Sequence, residues 1–293
     1  MEKKRTFLAA LLVMLLWGSL FPMVKLGNGA YGISGIGSIL YFAGVRFTVC
    51  GGMICIYAFL RDRNCFATAK KVILPVLLSG VFSIILHYAC TYTVLTMTDS
   101  SKTAILKQVG VLFYVCFAAL FFKDDRLTVR KLVGVLLGFA GIFAINASAT
   151  GFSFGIGDAL IIGASFCTVF ANVISKKVFA HIAPVPATGI AQLFGGLVLL
   201  LVGRLLGGSM TFAFDASAWI FVYICTASVI SYCIWFTTVK NGALSKLFII
   251  KFAEPVFAAV FGALLLNENI FKWQYLLAFV LIAGGIYVSQ KEK

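Results

Sequence analysis

The sequence predicts an all-α integral membrane protein of ten transmembrane helices, built as two inverted five-helix repeats with both termini on the cytoplasmic side. Three observations predict it: composition, the spacing of apolar runs, and the placement of Lys and Arg. Of the 293 residues, 61% are hydrophobic and 12% charged, and the mean hydropathy is +1.04. Soluble domains carry about 25% charged residues and about 45–50% apolar ones, so the solvent must be a lipid bilayer. At about 20 residues per crossing, ten crossings use most of the chain and leave short connections. There is no room for a soluble catalytic module, a nucleotide-binding cassette or a sensory domain.

Apolar runs broken by charged or Gly/Asn-rich joints put the spans near residues 6–26, 36–60, 72–97, 102–122 and 129–147 in the first half. The second half has them near 155–179, 184–207, 217–240, 244–266 and 271–289. The start, Lys3-Lys4-Arg5 and then an apolar run, mimics a signal peptide, but no small-x-small cleavage site follows. An uncleaved first span is expected. With the N-terminus inside, seventeen of the 24 Lys and Arg residues fall in cytoplasmic joints and only Lys102, Arg204 and Lys272 in outer ones. Lys25, Arg46, Lys107 and Lys251 fall inside spans. Such a bias over short loops is the positive-inside signal, and one missed or invented helix would spoil it downstream. It also accounts for the net charge of +14 without a nucleic-acid partner. Seven of the eight cysteines lie within spans and Cys65 in a joint; with no C-x-x-C pair they read as small packing residues.

Sliding the chain against itself by 144 positions aligns Lys102 through Ile142 with Lys246 through Ile286. Ser101/Ser245, Lys107/Lys251, Phe113/Phe257, Phe117/Phe261 and Gly141/Gly285 are identical, and Tyr88/Tyr232 and Thr93/Thr237 hold the same offset one span earlier. Chance matches of Leu and Phe are cheap in apolar helices; an intramembrane lysine pair is not. Residues 1–148 and 149–293 are therefore expected as the two halves of one compact unit. Five spans per half is an odd number, so the second half is inverted, and inverted repeats mark secondary transporters with substrate bound near the midplane.

Trp17-Gly18-Ser19 with Lys25, Arg46-Phe47, Gly157-Asp158, and Glu254-Pro255-Val256-Phe257-Ala258 followed by Leu266-Asn267-Glu268 resemble the EamA-like branch of the drug/metabolite transporter superfamily. The resemblance covers essentially the whole chain and is most specific between spans nine and ten. It implies ten helices, a central cavity lined by spans 1, 3, 4, 6, 8 and 9, and transport, often export, of amino acids or other small metabolites. The chain departs from the pattern in span four, where Gly110-Val111 stands in place of the usual proline opposite Glu254-Pro255.

The residues themselves point the same way. Glu254 and Lys251, three apart in span nine, share a helix face, and an ionisable group at that depth costs at least about 2.5–3.5 kcal/mol. Pro255 is expected to free the carbonyl of Lys251. Either the pair is a coupling site, with Glu254 exchanging a proton and Lys251 meeting a substrate carboxylate, or it is a permanent salt bridge. Lys107, followed by Gln108, is the partner of Lys251 in the repeat; two lysines facing one cavity would favour an anionic or zwitterionic substrate. Arg46 is permanently charged and is expected to contact carbonyls or a helix end. Lys25 and Asp158, near the outer membrane surface, could form a gate pair, although such residues are more often solvated end charges.

Ser83, His87 and Thr91, with Tyr88 and Tyr92 beside them, make a polar stripe on span three. Ser228, Ser231, Tyr232 and Trp235 answer it on span eight, and Ser165, Thr168, Asn172 and Ser175 on span six. Such stripes line wet cavities or glue helices together; His87 could titrate near neutrality, but a lone membrane His is more often a hydrogen-bonded packing residue. Trp17 lies deep in span one, while Trp219 and Trp273 fall where interfacial anchors belong. Gly134-x-x-x-Gly138-x-x-Gly141 and Gly203-x-x-x-Gly207 permit close helix contacts.

The sequence holds no metal-ligand cluster, no phosphate-binding loop and no nucleophile triad, so no cofactor, metal or enzymatic activity is expected. The expectation is a secondary transporter of the cell (cytoplasmic) membrane, monomeric or homodimeric. It would move a small polar metabolite by alternating access, with protons as the candidate coupling ion. An uncoupled facilitator or exchanger, a membrane receptor or scaffold, and a lipid flippase are the alternatives.

Overall fold

The structure, a computed structural model, describes residues 2–95, 106–146, 155–212, 217–268 and 273–291. Every regular element among them is helical. The first half contains α1 (Glu2–Ala30), α2 (Gly35–Arg61), α3 (Ala69–Gly80), α4 (His87–Leu95), α5 (Val109–Phe121) and α6 (Val129–Asn146). The second half contains α7 (Ile156–Val178), α8 (Pro184–Leu205), α9 (Ala218–Asn241), α10 (Leu244–Ile250), α11 (Ala253–Leu266) and α12 (Trp273–Gln290). A π-helical stretch, Val81–Leu86, joins α3 to α4. Among the described residues eight stretches are long and apolar enough to cross a membrane, and Val109–Phe121 is a shorter apolar helix. The remaining expected span, near 129–147, is α6, whose first turn carries Arg130 and Lys131. Lys102 and Lys272, expected in outer joints, and Ser101 of the repeat lie outside the described residues, as does the side chain of Tyr92.

Lipid offers no drive for helices to associate, so close backbone contact has to supply it. α2 and α8 meet along a seam of glycines: a Cβ on Gly44 would lie 2.2 Å from the backbone nitrogen of Leu200, and one on Gly51 2.3 Å from that of Leu193. The obstacle is backbone at both places and cannot step aside. Gly134 and Gly141 let α6 approach α12, where a Cβ would lie 2.7 Å from the Ser289 and Ile282 side chains, while Gly138 accepts the Phe252 ring. Gly203 packs on Tyr41, but Gly207 has φ +75° and nothing within 4 Å of where a Cβ would sit. The Gly203-x-x-x-Gly207 expectation is corrected there: Gly207 serves a left-handed turn after α8, not a contact. α1 lies against α9 and α11, and α7 against α3, α4 and α5.

A buried carboxylate organises the turn between α5 and α6. Asp125, in the turn between α5 and α6, accepts from Lys131 Nζ at 2.7 Å, from the Ser245 backbone N–H at 2.8 Å and from Tyr114 Oη at 3.3 Å. Ser245 Oγ also donates to it, and Lys131 Nζ reaches the Arg126 carbonyl at 2.8 Å. Asp125, Lys131 and Ser245 are all buried. Burial alone would raise the Asp125 pKa, but the hydrogen bonds from Lys131 and Ser245 outweigh it and hold the group below the ordinary carboxylate value. The latch ties the first half to the start of α10. At the opposite end Lys25 meets Glu268 at 3.2 Å, both side chains exposed. The expected Lys25–Asp158 gate pair is thereby corrected, and so is a solvated Asp158: this residue is buried and accepts the Gly155 N–H at 2.7 Å, closing the first turn of α7.

Removing one partner of a buried ion pair strands the other, at a cost of about 3–5 kcal/mol. Asp125→Ala should therefore lower the melting temperature of the purified protein in detergent well below wild type; an unchanged value would remove the latch from the stability of the fold. Because the folded pKa is depressed, this stabilisation is complete above the ordinary carboxylate value and is lost as pH falls through the folded one. An acid-side loss of stability, absent in the variant, is the expected signature. Gly44→Leu should prevent recovery of folded protein, since α2 and α8 can no longer touch, whereas Gly52→Ala, with open space at its Cβ, should be tolerated. Equal yields from the two would contradict the seam.

Candidate functional site

Two helix interruptions frame the site, one per half. Leu106 and Lys107 are helical, Gln108 is a turn, and α5 starts at Val109. Lys251 and Phe252 form the turn between α10 and α11. Gln108 and Phe252 occupy matching positions of the repeat, so the missing proline of span four does not prevent a break there. Around Lys251 the N–H groups step back three residues instead of four: Lys251 to Phe248, Phe252 to Ile249, Glu254 to Lys251. The carbonyl of Lys251 thus accepts the Glu254 N–H at 3.0 Å. The expectation that Pro255 leaves this carbonyl free is corrected, because the tightened turn supplies a donor one residue earlier than an α-helix would.

The breaks bring Lys107, Lys251 and Glu254 onto one cavity of about 20 Å³, with Gln108, Ser165 and Thr168 among its walls. That is room for about one water. Glu254 does not pair with Lys251 on its own helix; its carboxylate lies 3.7 Å from Lys107 Nζ, across the cavity on the other half. The Lys251–Glu254 salt bridge considered from sequence is replaced by this one, since the turn at Lys251 and Phe252 interrupts the helix face the two would share. Lys251 Nζ lies 5.4 Å from the Trp17 ring, 5.5 Å from Trp235 and 5.4 Å from Phe248. Among the described residues it makes no ion pair. Trp17 Nε1, in the same aromatic wall, is buried without an acceptor.

The polar stripes meet behind this wall. Trp235 Nε1 donates to Asn172 Oδ1 at 2.8 Å, and Asn172 Nδ2 to the Thr168 carbonyl at 2.8 Å. His87 Nδ1 lies 3.2 Å from the Ala164 carbonyl and 3.1 Å from Thr168 Oγ1; the π-helical stretch ends at this residue, a widening of the kind common at functional sites. Tyr88 and Tyr232, 144 positions apart, touch hydroxyl to hydroxyl at 3.2 Å. Arg46 is set apart: it is buried and gives Nε and Nη2 to Ser228 Oγ at 3.1 and 2.8 Å. Its expected partners, carbonyls or a helix end, are not the ones these bonds reach. Ser228 and Ser231 are fully buried and bond to carbonyls of their own helix, so on span eight these serines pack rather than line the cavity.

Lys107, Gln108, Lys251 and Glu254 thus line the cavity; Trp17 and Trp235 wall one lysine; His87, Tyr88, Tyr232 and Asn172 form the layer behind; Arg46 is outside it. Sequence reasoning did not single out Phe248 or Val111, which complete the walls, because apolar residues in apolar helices carry no signal. It also passed over Asp125, whose only cue was a lysine six positions on. Trp219 and Trp273 are exposed, as interfacial anchors must be. Among the described residues no group of three His, Cys, Asp or Glu could hold a metal.

Comparison with known proteins agrees with this architecture. A solved crystal structure superposes with a TM-score of 0.79 at 20% identity, over 98% of this chain and 96% of that one. The probable amino-acid metabolite efflux pump of Salmonella typhimurium is 25% identical over 99% of this chain and 95% of its own length. The inner membrane transporter YedA of Escherichia coli is 24% identical over 94% and 87%, and the transporter YetK of Bacillus subtilis 22% over 86% and 78%. The family model of the EamA-like transporters matches residues 4–147 and 155–290. With nearly its whole length covered, this chain is a multi-pass membrane protein and a transporter rather than an enzyme, and it belongs to the EamA-like transporter family.

Proposed function

We propose that the protein is a secondary transporter of the cell membrane that moves a small carboxylate-bearing metabolite, an amino acid or organic acid, by alternating access. The observation that carries this reading is the pair Lys107 and Lys251 on one cavity with a single carboxylate between them. Two ammonium groups and one carboxylate leave a positive charge to be met. The unpaired ammonium of Lys251 and the unused N–H of Trp17 are the donors a substrate carboxylate would fill. Gln108, on the cavity wall, would contact the rest of the metabolite, and Asn172 would position Trp235 from behind. His87, Tyr88, Tyr232 and Trp235 would hold the walls, and Arg46 would brace α2 against α9.

Ten spans in two inverted halves, residues 1–148 and 149–293, with both termini cytoplasmic, give the framework. Three features support it: the separate family matches to the two segments, the helix pair Val129–Asn146 and Trp273–Gln290 at an offset of 144, and the bias of Lys and Arg to alternate joints of the sequence. Ligand sites for drug-sized molecules occupy about 300–1,000 Å³, far more than the cavity offers, so helices must part to admit substrate. The break between α10 and α11 is the natural hinge, because α10 is almost wholly buried and in α11 only Ala253 and Gly262 are. Glu254 is the candidate proton carrier. Export is the favoured direction, in line with the efflux-pump relative.

A thermal-stability screen of purified protein against amino acids, organic acids, nucleosides and cations should find its shifts among carboxylates. A ligand at about a hundred times its Kd adds about 2.7 kcal/mol to the native state. The shift should vanish in Lys251→Ala and shrink in Trp17→Phe; hits confined to cations would overturn the reading. In proteoliposomes Glu254→Gln should lose accumulation against a gradient and keep exchange. Full concentrative transport by that variant would exclude Glu254 from coupling.

A further inference from the structure

Resting on the carboxylate reading above, we infer that a proton and the anionic substrate bind this transporter together, because Glu254 is an internal anion that the substrate displaces from Lys107. Lys107 has Glu254 as its counter-ion, at a distance too long for a hydrogen bond, beside a cavity with room for about one water. A contact so loose is readily exchanged. Lys251 has aromatic rings around it and no carboxylate. The position that answers Glu254 in the first half of the repeat is Gly110, whose Cβ would lie 2.6 Å from the Ser165 carbonyl oxygen. A second acid would therefore have no space there, and one internal carboxylate serves two ammonium groups.

A carboxylate entering this cavity comes within reach of both lysines and also of Glu254. Two carboxylates sharing a small, poorly hydrated space cannot both stay ionised at little cost, and the proton affinity of one rises sharply. The substrate, held by Lys251 and Trp17, competes for Lys107, and Glu254 gives up that ammonium by taking a proton from solution. The reverse holds equally: a protonated Glu254 releases Lys107 to the substrate. Binding free energies are reciprocal, so each partner raises the affinity of the other by the same factor.

The other groups around Glu254 do not offer an equivalent exchange. On α1 the described charged side chains are Lys4 and Arg5 at one end and Lys25, held by Glu268, at the other. α12 brings only Tyr275 and Tyr287. α9 brings Tyr232, already bonded to Tyr88, and His87 has its Nδ1 at the Ala164 carbonyl and Thr168. The coupling that follows has the sign of co-transport, not of proton-for-substrate exchange. Under an inward proton gradient this sign drives uptake, and the export favoured above runs only when a metabolite that accumulates inside carries the proton out down its own, steeper gradient.

The test is binding to purified wild-type protein in detergent, followed by the fluorescence of the site tryptophans between pH 6 and 8, with benzoate, succinate and L-glutamate as probes. Affinity for a bound probe should rise on acidification, by up to about tenfold per pH unit for one linked proton. A pH indicator in weak buffer should report about one proton taken up per probe bound. In Glu254→Gln the affinity should be high and flat with pH, with no proton uptake. Proton release in wild type, affinity that falls on acidification, or the same pH dependence in the variant would each overturn the inference. The wild-type proton count decides it even if the variant does not fold. Failure of all three probes to bind at any pH would instead overturn the carboxylate reading on which it rests.

Discussion

Hydrocarbon offers no hydrogen bonds, so every backbone N–H and C=O within it must find a partner inside the protein. Helices meet that demand, and an interrupted helix is tolerable only where the loosened backbone is buried in protein or borders a wet space. The interruptions after Lys107 and at Lys251 obey this rule. Their backbone groups are re-satisfied by three-residue steps, and the side chains beside them line the one cavity that holds both lysines. The ammonium groups face the same constraint. Lys107 is met by a carboxylate from the other half and Lys251 by the faces of aromatic rings, an electrostatic contact that strengthens when desolvated. The Asp125 latch joins the turn after α5 to the start of α10, and so ties together the two segments that carry these breaks.

Signals local to the chain were legible in the sequence. Apolar length located the helices, the 144-residue offset brought out Lys107 with Lys251 and Tyr88 with Tyr232, and the depth of Glu254 marked it as costly. Contacts between distant segments were not. Glu254 lies three residues from Lys251, and helical periodicity joins them, yet its partner is Lys107. Asp158 and Lys25 both sit near span ends, but one closes its own helix and the other reaches Glu268. Charge and spacing place such groups at a depth and on a face; which of several opposite charges they meet depends on helix rotations that a single sequence does not encode openly. Asp125 is the plainest case, since three of its bonds come from Tyr114, Lys131 and Ser245, scattered over more than a hundred positions.

The two helices on either side of the turn at Lys251 and Phe252 have different surroundings. α10 is clamped by the latch and by α5, α6 and α12, whereas α11 rests chiefly on α1 and turns Leu264 and Leu265 outward. Packing density of this kind grades local stability: the clamped part moves only with its neighbours, and the other can tilt with α1. Under the proposed mechanism the site therefore opens first at the end where Lys25 and Glu268 meet, an exposed pair that contributes little to holding it shut.

The hydroxyl contact of Tyr88 with Tyr232 joins two positions that the repeat maps onto each other. If the halves trade shapes during transport, that trade turns this contact into itself, so it survives in both facing states and can act as a fulcrum. The Lys107–Glu254 pair has no such image, because its mirror would set Lys251 against Gly110. One facing state keeps an ion pair that its reflection lacks. Under the proposed alternating access the cycle thereby acquires a resting side, fixed by a single residue that the two aligned segments do not share.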